Sequence, residues 1–287
     1  MRQFLDTLWN DESGQDLTEY VLLVVIIAGV VAYIDQLIQG QVVTNMRDYV
    51  LWGFYISNFV FFVATSFVAA IVVAVLRLTK SEWRRPFVRI AEVVALACIV
   101  MAGITIIIDM ARPDRMLNLF VHARLQSPIT WDVIIIPTFI VISLLLLYFP
   151  LLPDLAILRE HYAKIKPKLS RIYGFFALKW NWSDKQIKLQ QSSVHLLVLL
   201  IIPLGLILES IDAYLFSTTY RVGWANNSFA PYFITGAIVS GLGALIVVSY
   251  IVRRNKQLEN YITEYHFDKI GKLFHLSCLV YLYFNIN

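Results

Sequence analysis

Charged residues are scarce in this chain of 287 amino acids. Asp, Glu, Lys and Arg together make up 15% of it, whereas 59% of the residues are hydrophobic. Because a soluble domain of this length needs a more polar surface, the composition excludes an ordinary soluble protein. Apolar runs of about 20 residues, roughly the span of a bilayer core, recur along the sequence. The sequence therefore predicts an all-α fold, a polytopic bundle of transmembrane helices.

Cysteine is equally scarce, since Cys98 and Cys278 are the only two and both lie in apolar segments. No CxxC pair is present, so the chain is predicted to hold no iron–sulfur or zinc site and no other metal. The long loop 151–191 also lacks a Gly-rich phosphate loop, metal-ligand spacing and a nucleophile motif. An electron carrier would therefore have to come from a partner chain.

Seven apolar segments can be counted, and the loops between them predict the topology. Nineteen of the 24 Lys and Arg lie at the N-terminus or in alternate loops, and five lie on the other side. The positive-inside rule then predicts a cytoplasmic N-terminus. Because the basic residues sort by loop, the net charge of +4 does not indicate a nucleic-acid partner. The predicted segments are roughly 17–38, 50–76, 89–109, 131–150, 193–217, 229–252 and 272–286.

Two further features concern packing. The loop 151–191 predicts an amphipathic surface helix around 155–170 and a short element near Trp180 and Trp182. Small residues, including Gly236, Ser240 and Gly241, recur in the sixth segment and predict close packing against a neighbouring helix.

Asp109 ends the third segment, in the stretch IDMARPDR. Charging a carboxylate at the edge of hydrocarbon costs several kcal/mol unless the group is paired or hydrated. Arg112 follows one helical turn later and can supply the counter-charge, and Pro113 is predicted to end the helix. Asp109 is interpreted either as a group that acts on a ligand or a proton, or as half of a structural Asp–Arg pair.

Other acidic residues fall at the same predicted level of the membrane. Glu209 and Asp212 are three residues apart and therefore share a helix face, where we expect both to be charged only if water or an Arg such as Arg221 is near. An acid–Arg–aromatic cluster open to hydrocarbon suits a headgroup that exchanges protons, such as a quinone. The residues predicted at this outer level are Asp35, Asp109, Asp132, Glu209, Asp212, Arg112, Arg221, Trp52, Trp131 and Trp224.

Three polar residues carry open alternatives. Asn58 in the second segment either bonds a neighbouring helix or contacts a ligand. Glu92, at the inner end of the third, either pairs with Arg89 or stands at a proton entrance. Asp132 either belongs to the outer cluster or stabilises a helix N-terminus through the dipole.

The first 30 residues resemble the start of a Flp-type pilin. Within WNDESGQDLTEYVLLVVIIA, Gly14 matches the residue before the processing site, and Glu19 and Tyr20 match the fifth and sixth mature positions of that family. Residues 1–32 are accordingly interpreted as a pilin-like segment that includes most of the first transmembrane helix.

Residues 33–287 resemble the NrfD-like family, the membrane subunits of polysulfide-reductase-type complexes and of alternative complex III. The motifs that carry the resemblance, in order, are WGFYISNFVFF, RIAE, IDMARPDR, SPITWDV and YRVGW…FAPYFITGAI. The resemblance implies a respiratory-chain membrane anchor that oxidises or reduces quinone, either menaquinone or ubiquinone, in the cytoplasmic membrane of a bacterium or archaeon. Its implied partner is an extracytoplasmic ferredoxin-like iron–sulfur subunit, joined in some relatives by molybdopterin and cytochrome c subunits, and proton translocation is proposed for some members.

The resemblance also sorts the candidate residues. Asp109 and Arg112 occupy the acid-x-x-Arg-Pro turn of the family, and Asn58 and Ser66 lie on the helix that borders the quinone site in relatives. The predicted catalytic residues are Asp109, Glu209 and Asp212, and the predicted quinone-binding residues are Asn58, Ser66, Arg112, Trp131, Asp132 and Arg221.

Three departures from the family pattern are visible. Glu209 stands where many relatives have His, and Val222 replaces a Pro. Relatives run to eight or more helices, so the chain is expected to be a member truncated at its C-terminus.

Two other functions are kept as alternatives. His195 and His275 could clamp a haem in a b-type cytochrome. The pilin-like start would suit a structural or pilus-linked membrane protein.

Overall fold

The fold is entirely helical over the residues that the structure, a computed structural model, describes: 12–44, 52–110, 112–219, 228–254 and 258–286. No strand occurs within them, which confirms the predicted all-α class. The helices are α1 Glu12–Gln39, α2 Phe54–Leu78, α3 Arg84–Asp109, α4 Asn118–Val121, α5 Pro128–Tyr162, α6 Pro167–Phe176, α7 Asp184–Thr219, α8 Phe229–Arg253 and α9 Glu264–Ile286. Short 3-10 turns cover Gln41–Thr44 and Pro113–Arg115.

Six of these helices, α1, α2, α3, α5, α7 and α8, are long and apolar enough to cross a membrane. They correspond to the first six predicted segments, so a multi-pass membrane protein is confirmed. The predicted seventh segment lies within α9, which is not among the six. Its first turns carry Glu264, Asp268 and Lys272, and these charged residues lower the mean hydropathy of the helix.

The helices cluster into two compact units, Met1–Ser57 with Thr105–Met116, and Asn58–Ile104 with Leu117–Asn287. In the first unit, the side-chain amide of Gln36 donates to the carbonyl of Ile108 over 2.9 Å, and that of Gln41 donates to the carbonyl of Asp109. These bonds tie α1 and the turn after it to the end of α3. They also satisfy carbonyls that a helix end leaves unpaired.

In the second unit, α8 packs closely against α2 at Gly241. A methyl group on Gly241 would lie 2.5 Å from Cβ of Val68 and 3.0 Å from the carbonyl oxygen of Ala64. Only a residue without a side chain allows this approach. The close packing predicted for the small residues of this helix is therefore confirmed, at Gly241.

The helix predicted around 155–170 is wrong in its bounds. Residues 155–162 continue α5, which runs unbroken through three internal prolines, and the next helix begins at Pro167. The reason is a small apolar core in which Leu152 and Ala156 of α5 pack against Ala177 and Trp180. Burial of this face keeps the end of α5 helical and folds the following segment back onto it.

An ion network around buried Glu92 joins the end of α2, the start of α3 and the second half of α5. The side chain of Glu92 is fully buried and pairs with Arg77 and, at 3.4 Å, with Arg89. Arg89 also donates to the carboxylate of Asp154 over 2.6 Å and to the carbonyl of Pro150 over 2.9 Å. The pairing of Glu92 with Arg89 is thus confirmed, and Arg77 is a second partner that the sequence analysis did not identify.

Replacing Gly241 by Ala should destabilise the second unit. The added methyl group must displace Val68 or the α2 backbone, which typically costs about 1–3 kcal/mol. We expect a lower unfolding midpoint for Gly241→Ala in detergent. Gly271→Ala is the matched control, because nothing lies within 4 Å of a methyl group there. Equal midpoints for the two variants would contradict the close contact.

Candidate functional site: three buried carboxyl groups

The first turns of α5 and the last part of α7 bring three carboxyl groups together inside the second unit. Glu209 and Asp212 lie one turn apart on the same face of α7, and both are fully buried. Asp132 lies near the start of α5 and is 6% exposed. The predicted shared face of Glu209 and Asp212 therefore points into the protein, where Asp132 meets it.

Asp212 is the centre of this carboxyl trio. Its carboxyl group lies within hydrogen-bonding reach of Asp132 and close enough to Glu209 for direct charge repulsion. Two ionised carboxylates offer only acceptors, so the approach of Asp132 to Asp212 becomes a hydrogen bond only when one of them holds a proton. The geometry therefore suits a proton shared between Asp132 and Asp212.

The trio lacks the compensation that buried acids normally receive. Among the described residues, no donor reaches Oδ1 of Asp132, either oxygen of Glu209 or either oxygen of Asp212. An unpaired carboxylate in an apolar interior is strongly unfavourable. Within the same unit Glu92, also buried, has two arginine partners. The trio thus differs from Glu92, whose charge is matched by two arginines.

An aromatic layer lies on the inner side of the trio, one to two helical turns away. A methyl group on Gly205, one turn before Glu209, would lie 2.7 Å from the ring of Phe67 and 3.5 Å from that of Phe139. Both rings are buried, Phe67 at 2% and Phe139 at 0% exposure. The layer therefore places two buried rings against the backbone of α7 one turn before Glu209.

Asp109 belongs to the first unit, where it ends α3 as predicted. Its Oδ1 is buried and has no hydrogen-bond partner among the described residues. The expected counter-charge from Arg112 is wrong, because Arg112 instead donates two hydrogen bonds of 3.0 Å to Asp114. These bonds lower the pKa of Asp114. The reason is local: the chain leaves the helix at Asp109 and turns at Pro113, which brings Arg112 beside Asp114.

The other predicted site residues each have a separate environment. The hydroxyl of Ser66 donates to the carbonyl of Ala95 over 2.6 Å and so joins α2 to α3. Asn58 is partly exposed near the start of α2. The indole of Trp131 is half-exposed and donates to the carbonyl of Leu125 over 2.8 Å. Arg221 lies outside the described residues, as does Trp224.

Sequence reasoning missed two elements of the site. It placed Asp132 and Asp212 at the same level, but not in contact, because the two residues lie on different helices 80 positions apart. It also passed over Gly205. A glycine one turn from an intramembrane acid is a signal for a close helix approach beside the acid.

The described structure therefore defines a polytopic helical membrane protein with a buried acidic site. The chain belongs to the family described as Polysulphide reductase, NrfD, which matches residues 42–286. The predicted family is confirmed.

A protein of the archaeon Halobacterium salinarum is 30% identical to this chain over 235 residues, or 82% of the chain. That protein is provisionally named as a membrane subunit of dimethyl sulfoxide reductase. The aligned part makes up 51% of it, so the chain spans about half the length of this relative.

Asp212→Asn should stabilise the isolated protein. The variant removes an ionisable group from an apolar site, and the amide NH₂ that it introduces can donate to Asp132, which relieves a penalty of about 1–3 kcal/mol. We expect a higher unfolding midpoint in detergent at neutral pH. Asp268→Asn is the control, because Asp268 is exposed and pairs with Lys272. A lower midpoint for Asp212→Asn would show that the native Asp212 carboxylate has a stabilising cation or hydrogen-bond donor, which would contradict the structure.

Proposed function

We propose that this chain is the membrane subunit of a quinone-linked oxidoreductase complex, and that the carboxyl trio exchanges the protons of that reaction. Family membership supports a membrane anchor of a reductase complex. The name of the Halobacterium relative supports a molybdoenzyme-type reductase and favours electron flow from quinol towards the reductase. The observation that carries the proton-exchange role is the complete burial of Glu209 and Asp212, whose four carboxylate oxygens have no hydrogen-bond partner among the described residues.

The residues present fit a quinone headgroup. A protonated carboxyl group donates to a quinone oxygen, and a carboxylate accepts a proton from a quinol hydroxyl. Asp132 is the member of the trio with residual exposure, and its neighbour Trp131 presents a half-exposed ring on the same turn. We propose that the headgroup approaches on this side, with menaquinone and ubiquinone both suited to it.

A bound quinone supplies a two-electron, two-proton couple. Asp132 accepts the first proton at its carboxylate, and the hydrogen bond to Asp212 passes that proton inward. Glu209 accepts a second proton from Asp212 one turn further along the same face of α7. Phe67, Phe139 and Gly205 lie beyond Glu209, so in this proposal Asp212 and Glu209 hold the two protons until these return past Asp132 to the outer side.

We propose that the electrons pass between the quinone and a partner chain. We propose a ferredoxin-like iron–sulfur subunit, followed by a molybdopterin subunit, on the extracytoplasmic side. Cytochrome c subunits, as in alternative complex III, are the other arrangement consistent with the family. Asp109, Arg112 and Asn58 are each proposed, from the family resemblance, to contribute to quinone binding.

Asp212→Asn and Glu209→Gln should each lower quinol-linked turnover of the purified complex. Proton transfer by a positioned side chain contributes about 10²–10⁴-fold to a rate, so we expect a loss of at least about 100-fold. The measurement is oxidation of a soluble quinol analogue by the complex in detergent. An unchanged set of partner proteins would show that the loss is not one of assembly.

Asp268→Asn serves as the control and should keep normal turnover, because Asp268 lies on the surface of α9. Near-normal turnover in both trio variants would overturn the proton-exchange role. Asp109→Asn is tested in the same assay, and normal turnover there would remove Asp109 from the mechanism without affecting the trio.

Partner subunits should accompany this chain from gently solubilised native membranes. We expect mass spectrometry of the affinity-purified chain to find iron–sulfur and molybdopterin proteins in stoichiometric amounts. If the chain came down alone, or with pilus-assembly proteins, the proposed reductase assembly would be wrong.

A further inference from the structure

Two adjoining cavities at the inner ends of the helices form a basic basin in the second unit. They have volumes of about 360 and 290 Å³ and share Arg77, Arg84 and Pro150 in their walls. The first also contacts Lys80 and His195, and the second contacts Arg85 and Arg89. No Asp or Glu side chain is among the described residues that line either cavity.

Only part of this positive charge is neutralised within the protein. Arg77 and Arg89 are paired with Glu92, and Arg89 also with Asp154. In contrast, the side chains of Lys80, Arg84 and Arg85 make no hydrogen bond or ion pair with any described side chain. The Nε of Arg77 is buried and also lacks a partner among the described residues. The basic basin therefore offers an excess of donors and charge to an anion.

A third cavity, of about 430 Å³, is almost wholly apolar. It lies between α2, α7, α8 and α9, and Thr235 and Ser277 are the only polar residues among those described in its wall. Phe67, Leu76 and Leu242 are typical of the rest. Water gains little in such a space, whereas hydrocarbon fits it.

The basic basin and this apolar cavity follow one another along α2 and α7, and the two together are called the furrow. On α2, Leu76 lines the apolar cavity and Arg77 the basin. On α7, Ile202 lines the apolar cavity, and Val198, one turn away, lines the basin. From Phe67 to Lys80 the furrow extends along α2 for roughly 20 Å. One leaflet of a bilayer core is about 15 Å thick, so the furrow has room for an acyl chain and a headgroup.

We propose that this furrow binds one anionic phospholipid, with its phosphate in the basic basin and an acyl chain in the apolar cavity. The charge distribution favours an anionic headgroup over a zwitterionic one, because three cations there are uncommitted. The loop pattern predicts this end of the helices to be cytoplasmic, where anionic lipids and basic pockets meet. The apolar cavity distinguishes a lipid from a free phosphate, which would use the basin alone.

The test uses the full-length chain, delipidated in detergent, with three probes: dioleoyl phosphatidylglycerol, dioleoyl phosphatidylcholine and inorganic phosphate. Native mass spectrometry counts the molecules retained, and the unfolding midpoint reports stabilisation. We expect one phosphatidylglycerol to be retained and to raise the midpoint, with phosphatidylcholine bound far more weakly and phosphate without effect.

Two variants test the basic basin and the apolar cavity separately. Lys80→Gln with Arg84→Gln removes two uncommitted cations and should weaken phosphatidylglycerol binding roughly thirtyfold at low ionic strength. Ile202→Trp fills the apolar cavity and should also abolish retention. Lys185→Gln with Lys188→Gln, which removes exposed cations of α7 that line none of the three cavities, is the matched control and should bind normally.

Each alternative outcome overturns the proposal. Equal binding of the two lipids would show that the cations do not select the headgroup. Stabilisation by phosphate as strong as by phosphatidylglycerol would make the basin an anion site rather than a lipid site. Unchanged binding in Ile202→Trp, with normal helix content by circular dichroism, would exclude an acyl chain from the apolar cavity.

Discussion

The cost of placing a charge in a hydrocarbon environment governs this structure, and the protein meets that cost in two ways. At the inner ends of the helices, Glu92 is buried between Arg77 and Arg89, so its charge is matched on the spot. At the outer ends, Asp132, Glu209 and Asp212 are buried with one another and with no cation among the described residues. The first arrangement holds helices together. The second arrangement leaves the cost of any charge on these carboxyl groups uncompensated among the described residues.

The same helices run through both regions, and an apolar layer lies between them. The helix α7 carries Glu209 and Asp212 towards one end and borders the basic basin towards the other. Between them, Phe67 and Phe139 close against Gly205, where no side chain separates ring from backbone. On α7, a closely packed apolar layer thus lies between the carboxyl trio and the basic basin.

Composition and apolar run length were sufficient to predict the helical class and six spans, because the bilayer imposes length and hydrophobicity on each span separately. Contacts across helices were harder. Arg112, the counter-charge expected for Asp109, binds Asp114 instead, because the chain turns directly after the helix. The meeting of Asp132 with Asp212 depends on how α5 and α7 are rotated, which no periodicity in either helix specifies. Residues 155–162 are helical because this end of α5 is buried against Trp180, and such a tertiary contact cannot be predicted from the local sequence.

The contact at Gly241 also has a meaning for sequence variation. Since a methyl group there would overlap Val68 and the Ala64 carbonyl, the distance between α2 and α8 is set by a missing side chain. The side chains at positions 68 and 241 therefore have to fit together into a fixed volume where the two helices cross. A homologue that carries alanine at the position of Gly241 is expected to carry a smaller residue at the position of Val68, or to hold the two helices further apart.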